Sequence, residues 1–215
     1  MPVPGASDMQ AGFHQIVRGL RQPRHAFSAV RARLRGRIFK LWCRLCRPRI
    51  SIGRGLILNG KLKIRGPGRV IIGDNVVVGM HVTPFTYAPE AAIEIGDGVY
   101  LNGTRFGCKE SIRVGARSVL AECRILDWDF HSSHPEHRND PEYIRGAPVM
   151  IEENVWITVD CVILKGTTIG HNSTIGPNSV VRDDIPPNSL AGGNPAVVYG
   201  DARRYRIKDE SPESR

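Results

Sequence analysis

A period of six residues dominates the last third of the chain. Large aliphatic residues recur every six positions without a break, at Ile151, Ile157, Ile163, Ile169, Ile175 and Val181. Four positions after each of the first five comes a small or β-branched residue: Val155, Cys161, Thr167, Ser173 and Ser179. An α-helix repeats every 3.6 residues and a pleated strand every two, so neither element explains this period.

One short strand that ends in a turn accounts for each hexad. Three hexads then close a triangular coil of about 18 residues, and successive coils stack as a parallel β-helix. We expect the large residue to fill the interior and the small one to fit the corner. Gly170 and Gly176 are expected to supply the permissive backbone of the turns. An antiparallel sandwich is the main alternative, but its period would be two.

The same register recurs upstream with interruptions. Its aliphatic positions are Ile52, Leu58, Ile64, Ile72, Val78, Ile95, Leu101, Val114, Leu120 and Leu126. Together these segments make about sixteen hexads, or roughly five coils, and predict an all-β fold. The register breaks briefly at residues 79–92. It breaks again at residues 127–148, a polar stretch with three histidines and three prolines that we expect to protrude as a functional loop.

The pattern predicts a basic helical arm over residues 1–49, a β-helix over 50–200 and a tail over 201–215. The net charge of +9 comes entirely from the first third of the chain. Residues 9–73 hold 16 basic residues and no acidic one, which leaves 14 basic against 21 acidic residues elsewhere. The pI of 9.7 therefore does not by itself indicate nucleic-acid binding.

The basic arm carries an amphipathic pattern. Apolar residues step by three or four at Phe27, Val30, Leu34, Ile38, Leu41 and Leu45. Basic residues lie between them, at Arg31, Arg33, Arg35, Arg37, Lys40 and Arg44. The spacing predicts a helix that packs on the end coil and shields its open edge, or one that docks on an anionic membrane surface. Nucleic acid is disfavoured because no groove-reading motif is present.

The cysteines bear on the compartment. An odd number, Cys43, Cys46, Cys108, Cys123 and Cys161, without an apolar leader segment favours a reducing compartment, so we expect a cytoplasmic protein. Cys43 and Cys46 form a lone C-x2-C pair, whereas a structural zinc site needs four ligands. No run of about 18 apolar residues exists, so no membrane-spanning helix is predicted.

The closing hexads carry a specific resemblance. Residues 151–198 read IEENVWITVDCVILKGTTIGHNSTIGPNSVVRDDIPPNSLAGGNPAVV. This segment, above all its "NVWI", "DIPPNS" and "GGNPA" phrases, resembles the hexapeptide-repeat acyltransferases, nearest to the galactoside, maltose and polysaccharide-biosynthesis O-acetyltransferases. The similarity runs from about residue 50 to residue 200. It implies a left-handed β-helix, a homotrimer with active sites between subunits, and acetyl-CoA as co-substrate.

The resemblance also implies a catalytic base. The family carries a histidine in the long loop about two dozen residues before the tryptophan of "NVW", and here His131 lies 25 residues before Trp156. His131 resembles the general base that takes the proton of the acceptor hydroxyl, and imidazole titrates close enough to pH 7 for that task. Asp127 or Asp129 is expected to fix its tautomer, although a backbone carbonyl could do the same.

Further site residues follow from the same resemblance. Asn102 matches an acceptor-binding asparagine, or it only forms the turn before a glycine; Glu110 falls near an acidic acceptor-binding position. The positions that would line the cofactor are Trp156, Thr158, Val159, Pro177 and Arg182. The sequence departs from the family at Asp183, Val197 and Gly200, where cationic residues are usual. The remaining candidates for the cofactor phosphates are Arg203, Arg204 and Arg206.

No metal is expected. His131, His134 and His137 invite comparison with the β-helix carbonic anhydrases, but that family places two zinc ligands five residues apart on adjoining turns and the third on another coil. A spacing of three in a proline-rich loop does not match that arrangement.

The resemblance thus implies an acetyl-CoA-dependent O-acetyltransferase acting on a sugar or on a polysaccharide or glycolipid precursor, by direct transfer in a ternary complex. Two alternatives stay open: an N-acyltransferase of an amino sugar or nucleotide sugar, and a non-catalytic trimeric scaffold or membrane-binding module. The expected partners are further copies of the chain, a sugar acceptor and, through the basic arm, an anionic membrane at the inner face. Nucleic acid is not an expected partner.

Overall fold

The computed structural model describes residues 23–204, with side chains described from Ser28 onward. In this part of the chain one α-helix, α1 (Pro23–Cys46), precedes nineteen short strands. The strands are β1 (Ile50–Ile52), β2 (Ile57–Leu58), β3 (Arg69–Ile72), β4 (Val77–Val78), β5 (Thr83–Thr86), β6 (Ala92–Ile95), β7 (Tyr100–Asn102), β8 (Arg105–Cys108), β9 (Ser111–Val114), β10 (Val119–Ala121), β11 (Arg124–Leu126), β12 (Val149–Ile151), β13 (Trp156–Ile157), β14 (Val162–Ile163), β15 (Thr168–Ile169), β16 (Thr174–Ile175), β17 (Val180–Val181), β18 (Ser189–Gly193) and β19 (Ala196–Asp201).

Three sheets form the faces of a triangular coil. The first face has the order β1-β3-β6-β9-β12-β15, the second β19-β18-β16-β13-β10-β7-β4-β2 and the third β17-β14-β11-β8-β5. Strand pairing is parallel throughout, apart from the antiparallel pair of β18 and β19. The chain visits the three faces in turn, so the predicted parallel β-helix is confirmed. The hand of its coil stays a prediction.

The hexad residues build the core as expected. The six large aliphatic residues of the closing coils are 0% exposed: Ile151, Ile157, Ile163, Ile169, Ile175 and Val181. The small residues of the same hexads, from Val155 to Ser179, are also buried. Because equivalent residues of successive coils pair directly, as Ile157 does with Ile175, the core is a stack of like side chains.

The corners between strands use asparagine where glycine was predicted. Asn154, Asn172, Asn178 and Asn188 have φ values between 56° and 60°, in the left-handed region that asparagine tolerates. The prediction that Gly170 and Gly176 serve this purpose is wrong, since neither has a positive φ. At Gly170 the requirement is space: an added Cβ would lie 2.4 Å from the backbone nitrogen of Pro187 in the next coil.

Two details of the register also differ from the prediction. Ile125, not Leu126, faces the interior, because the hexad that begins at Leu120 has lost one residue. Ile125 pairs with Ile163 in the next coil. The break at residues 79–92 protrudes less than expected, because Thr83–Thr86 returns to the third face as β5.

Helix α1 packs on the first coil with the face opposite to the predicted one. Its buried residues are Ala32, Gly36 and Cys43, and an added Cβ at Gly36 would lie 2.0 Å from the carbonyl oxygen of Leu56. Arg35 donates to the carbonyl oxygens of residues 59 and 60, and Lys40 donates to that of residue 53. The predicted apolar face is solvent-exposed: Val30 64%, Leu34 54%, Ile38 60%, Leu41 58% and Leu45 75%.

Small residues explain this choice of face. Gly36 and Ala32 let the helix backbone approach the coil closely, which leucine and isoleucine would prevent. The side chain of Phe27 lies outside the described ones. Within residues 23–204, no helix has the length and apolar character needed to cross a bilayer.

Candidate active site

The long loop leaves the coil through a narrow neck. Residues 127–148 connect β11 on the third face to β12 on the first, so the loop emerges at the edge between these faces. Trp128 and Gly146 form an antiparallel bridge across the neck. The backbone N–H of Asp129 donates to Arg145 and that of Ala147 donates to Asp127, both at 2.8 Å. The loop is therefore fastened to the coil at both ends.

Asp127 anchors the neck to the coil below. Its carboxylate is fully buried and accepts hydrogen bonds from the backbone N–H groups of Lys109 at 2.7 Å and Glu110 at 2.8 Å. The Cys108 thiol donates to the same carboxylate at 3.3 Å. Burial, followed by the nearby Asp127 charge, raises the pKa of the Cys108 thiol, so this group stays protonated at neutral pH.

An aromatic cluster packs around the first residues of the loop. Phe85 stacks on Tyr87 with ring centroids 4.3 Å apart, and Tyr87 contacts Trp128 and Phe130 at 5.1 and 5.2 Å. The Lys109 ammonium lies 4.8 Å from the centre of the Trp128 ring. Since Phe130 directly precedes His131, this packing holds the backbone that carries the histidine.

His131 is oriented by Asn139, a residue that the sequence did not single out. The Nδ1 atom of His131 lies 3.0 Å from the Asn139 amide oxygen, and that oxygen can only accept a hydrogen bond. In the neutral ring this contact places the proton on Nδ1 and the lone pair on Nε2. The predicted orientation by aspartate is wrong, because Asp127 is buried in the neck and Asp129 pairs with Lys165 Nζ at 2.6 Å.

The other two loop histidines pack among themselves. His137 stacks on Tyr143 with centroids 4.0 Å apart and planes 3° from parallel, and His134 contacts both rings. His134, Glu136 and His137 place potential ligand atoms within 4.8 Å of one another. The Nδ1 atom of each histidine already has a partner: His134 Nδ1 accepts from the N–H of Glu136, and His137 Nδ1 lies 3.3 Å from Asp140. The expectation of no metal stays a prediction.

Glu110 lies on the same edge as the loop. An added Cβ at Gly146 would lie 2.2 Å from Glu110 Oε1, so this carboxylate abuts the neck. Arg182 follows β17 on the third face and belongs to this edge as well. Arg182 pairs with the neighbouring Asp183 at 3.3 Å, and both side chains are exposed.

The remaining predicted site residues lie on the second face or where it passes into the third. Asn102 ends β7 at that edge, whereas Trp156 begins β13 on the second face itself, with its side chain 52% exposed. Val159 and Pro177 are exposed at the corners of successive coils, and the N–H of Asn178 donates to Val159. Thr158 is partly committed, because its hydroxyl donates to the carbonyl oxygen of Ile175 at 2.7 Å.

Two cationic candidates near the end of the chain have acidic partners. Arg203 forms a two-pronged ion pair with Asp201, at 3.0 and 2.7 Å, and Arg204 lies 3.9 Å from the same carboxylate. Hydrogen bonds from Arg203 lower the pKa of Asp201 to about 2. Arg206 lies outside the described residues.

The candidate residues therefore form two groups. His131, Glu110 and Arg182 lie on the edge between the third and first faces, whereas Trp156 lies on the second face and Asn102 at its edge with the third. The whole third face separates the edge of His131 from the edge of Asn102. One chain does not bring the two groups together.

Known proteins show the same architecture and the same sequence pattern. A family described as bacterial transferase hexapeptide (six repeats) matches residues 148–183. Galactoside O-acetyltransferase of Escherichia coli (strain K12) is 33% identical over 148 residues, which cover 66% of this chain and 71% of that protein. WcaF of the same strain, assigned as an acetyltransferase of colanic acid biosynthesis, is 28% identical over 160 residues, covering 74% and 71% of the two chains.

Solved structures agree on the fold. The polysialic acid O-acetyltransferase OatWY superposes with a TM-score of 0.62 at 21% identity, over 76% of this chain and 80% of that one. AntD, an N-acyltransferase from Bacillus cereus solved with dTDP and 3-hydroxybutyryl-CoA, superposes with a TM-score of 0.59 at 19% identity, over 70% and 82%. The β-solenoid described above is thus the fold of these acyltransferases.

Proposed function

This chain belongs to the hexapeptide-repeat acyltransferases, and from that premise we propose that it is an acetyl-CoA-dependent O-acetyltransferase of a sugar or of a polysaccharide or glycolipid precursor. Two relatives support the acceptor class, since one is named for a galactoside and the other for colanic acid biosynthesis. The observation that carries the chemistry is the pair of His131 and Asn139, which leaves an exposed imidazole nitrogen free to act as a base.

The reaction needs one proton acceptor and no covalent enzyme intermediate. His131 Nε2 takes the proton of an acceptor hydroxyl as that oxygen attacks the thioester carbonyl of acetyl-CoA. The tetrahedral intermediate then collapses, the carbon–sulfur bond breaks, and the imidazolium returns the proton to the departing CoA thiolate. The products are the acetyl ester and CoA, so atoms and protons balance within one ternary complex.

Asn139 is a positioning residue in this scheme. Its amide oxygen holds Nδ1–H, which fixes the tautomer and keeps Nε2 directed away from that bond. The aromatic packing of Phe130 and the Asp129–Lys165 ion pair hold the neighbouring backbone. Asn102 would donate from its amide to the acceptor or to the oxyanion, and Glu110 would accept from sugar hydroxyls.

The cofactor would lie along the second face and its edge with the third, which carry Trp156, Thr158, Val159 and Pro177. Trp156 and Val159 expose apolar surface there, which suits the pantetheine arm. Arg182, on the other edge, would approach a phosphate from a neighbouring subunit. Arg203, Arg204 and Arg206 are the further phosphate candidates.

A homotrimer is part of the proposal, and the separation of the two groups of residues supports a site between copies. The loop edge of one copy and the Trp156-bearing face of a neighbour can face each other across an interface, which would assemble His131 with the cofactor residues. In this arrangement the β-solenoid of residues 50–200 carries the chemistry, and the arm 1–49 and the tail 201–215 are accessory. We place the enzyme in the cytoplasm, which suits its five unpaired cysteines.

Thiol release from acetyl-CoA tests the proposal. The released thiol is measured with a disulfide dye. The assay uses a variant with the Cys46→Ser substitution, because the exposed Cys46 thiol would itself react with the dye. The acceptor panel holds free sugars, oligosaccharides, nucleotide sugars and amino sugars. We expect acceptor-dependent release that falls by about 10² or more in His131→Ala. His134→Ala, in the same loop, is the matched control and should change the rate only a few-fold.

Asn139 has its own readout. Asn139→Asp places a carboxylate beside Nδ1, which favours the protonated imidazole, so the acid limb of the pH–rate profile should move to higher pH. Asn139→Ala should lower the rate without this shift. A merely structural residue would move neither limb.

Other outcomes identify the alternatives. Release with amino sugars alone would assign N-acylation, which the fold likeness to AntD makes worth testing. Equal traces for the parent protein and His131→Ala, together with no heat of CoA binding by calorimetry, would overturn the enzymatic proposal in favour of a non-catalytic scaffold.

A further inference from the structure

Helix α1 presents an apolar stripe to solvent. We define the outer stripe as Val30, Leu34, Ile38, Leu41 and Leu45, each more than half exposed. At a rise of about 1.5 Å per residue the stripe is about 22 Å long. Exposed apolar stretches of this size on a folded domain mark interaction surfaces.

The stripe has no role in holding the helix on the coil. The docked face consists of Ala32, Gly36 and Cys43, with the partly buried Phe39 packed against the core beside them. A step of about 100° per residue places Leu34, Leu41 and Leu45 on the opposite side of the helix. The side chains of Arg35 and Lys40 also bind the coil. Helix α1 is thus secured on one side and leaves five large aliphatic residues for another partner.

Positive charge borders the stripe on both sides. By the same geometry Arg33, Arg37 and Arg44 lie along one border and Arg31 along the other, all of them exposed. Trp42, 46% exposed, lies on the border near Arg31. No acidic residue occurs from position 9 to position 73, so these charges have no acidic neighbour in the helix or the first coil.

This charge distribution selects the occupant. A second copy of the helix on the stripe would bring two rows of arginine together at an apolar contact, which like-charge repulsion disfavours. An anionic bilayer surface fits both features: aliphatic side chains enter the boundary of the acyl chains, and arginines reach the lipid phosphates. Tryptophan at the border suits the same depth.

We propose that helix α1 binds the surface of an anionic membrane through the outer stripe and its flanking arginines, and so holds the enzyme flat against the cytoplasmic face. The proposal concerns location and does not depend on the acyl-transfer chemistry. Because α1 packs on the first coil with the side opposite to the outer stripe, the proposal places the membrane at the N-terminal end of the solenoid.

Vesicle flotation of the full chain tests this. We expect flotation with vesicles of phosphatidylcholine mixed with phosphatidylglycerol, and none with phosphatidylcholine alone. Leu34→Ser/Leu41→Ser should lower the partition coefficient by about tenfold or more, because buried CH₂ groups drive interfacial binding. Arg37→Gln/Arg44→Gln should lower it by a similar factor, since each arginine near an anionic surface contributes about fivefold.

The matched control removes the same charge elsewhere. Arg113→Gln/Arg117→Gln alters two half-exposed arginines of the coil and should float like the parent protein. The helix variants alter exposed side chains, so circular dichroism and thermal melting should show an unchanged fold. High salt should release the parent protein, as screening shortens the reach of the arginines.

Three results would overturn the proposal. The first is absence of flotation with anionic vesicles. The second is flotation that survives both helix variants. The third is a stripe variant that lowers the oligomeric mass in sedimentation equilibrium while vesicles bind neither protein, which would assign the stripe to contacts between copies.

Discussion

The closing coils and helix α1 both carry a clear apolar period, yet the period predicts burial in only one of them. In residues 151–181 every large aliphatic residue of the hexads is 0% exposed. In α1 the five periodic aliphatic residues are 54–75% exposed, and the helix docks instead with small residues and the partly buried Phe39. The two regions use the same kind of side chain for opposite purposes.

The difference lies in what supplies the other side of the contact. A coil encloses its own interior, so a residue that points inward has no alternative to burial among its equivalents above and below. A helix has several faces, and its strongest apolar face packs on the domain only if the domain offers a matching surface. Here the first coil offers the carbonyl of Leu56, which only a glycine can approach.

The largest expected effect is a cavity in the stack. Ile157→Ala removes a fully buried side chain that pairs with Leu120 and Ile175, and it should cost about 2–5 kcal/mol of unfolding free energy. Urea denaturation monitored by circular dichroism measures the change. A cost below about 1 kcal/mol would mean that the interior is not close-packed, and the contrast with α1 would collapse.

A second substitution tests the docked face of the helix. Gly36→Leu improves helix propensity but places side-chain atoms against the Leu56 carbonyl, so it should destabilise the docked helix by about 1–3 kcal/mol. Cys43 lies on the docked face of the helix and is 1% exposed, so its labelling by a thiol reagent should accelerate in the variant. Labelling of Cys43 at the parent rate would show that the helix tolerates the substitution without undocking.

A corner substitution has an intermediate effect. Asn172→Ala places alanine at φ 59° and should cost about 1–2 kcal/mol. It also removes the amide ladder from Asn154 through Asn172 to Asn188, at 2.8 and 3.1 Å. Asn172→Gly keeps the backbone conformation and loses only the ladder, so its melting temperature should lie between those of the parent and the alanine variant.

The smallest effect is expected on the outer stripe. Leu41→Ala should change the unfolding free energy by no more than about 0.5 kcal/mol, because the side chain is 58% exposed and contributes nothing to docking. Truncation of a large aliphatic side chain to alanine should thus lower the unfolding free energy strongly at Ile157 and hardly at all at Leu41. A loss above about 1 kcal/mol in the isolated protein would place the stripe in a contact within or between chains.

The period alone predicted most of the coil, and the exceptions have local causes. The step from Leu120 to Ile125 is five residues, and nothing in the chain before Leu126 announces the deletion. Both aliphatic residues suit the interior, so composition could not choose between them. The sequence segments "GHN" and "GPN" contain both a glycine and the corner asparagine. The prediction assigned the left-handed corner conformation to the glycine, although the asparagine adopts it.

The site was predictable to the extent that it depends on chain position. The protruding loop and His131 follow from the broken register and the resemblance. Asn139 does not, because its approach to Nδ1 depends on the local folding of the loop, where Asn139 lies between two short 3₁₀ helices, Pro135–His137 and Pro141–Tyr143. Asp127 was misjudged for the same reason: sequence distance placed it near His131, whereas its burial assigns it to the neck.

The neck of the loop has an evolutionary consequence. Asp127, the Trp128–Gly146 bridge and the Asp129–Arg145 hydrogen bond close the loop before the chain reaches His131. A different segment inserted between these neck contacts would leave the stacked coils unchanged. Doubling the length of such a segment costs only about 0.6 kcal/mol in loop-closure entropy. A lineage can therefore replace the segment that carries His131 while it inherits the stacked coils unchanged.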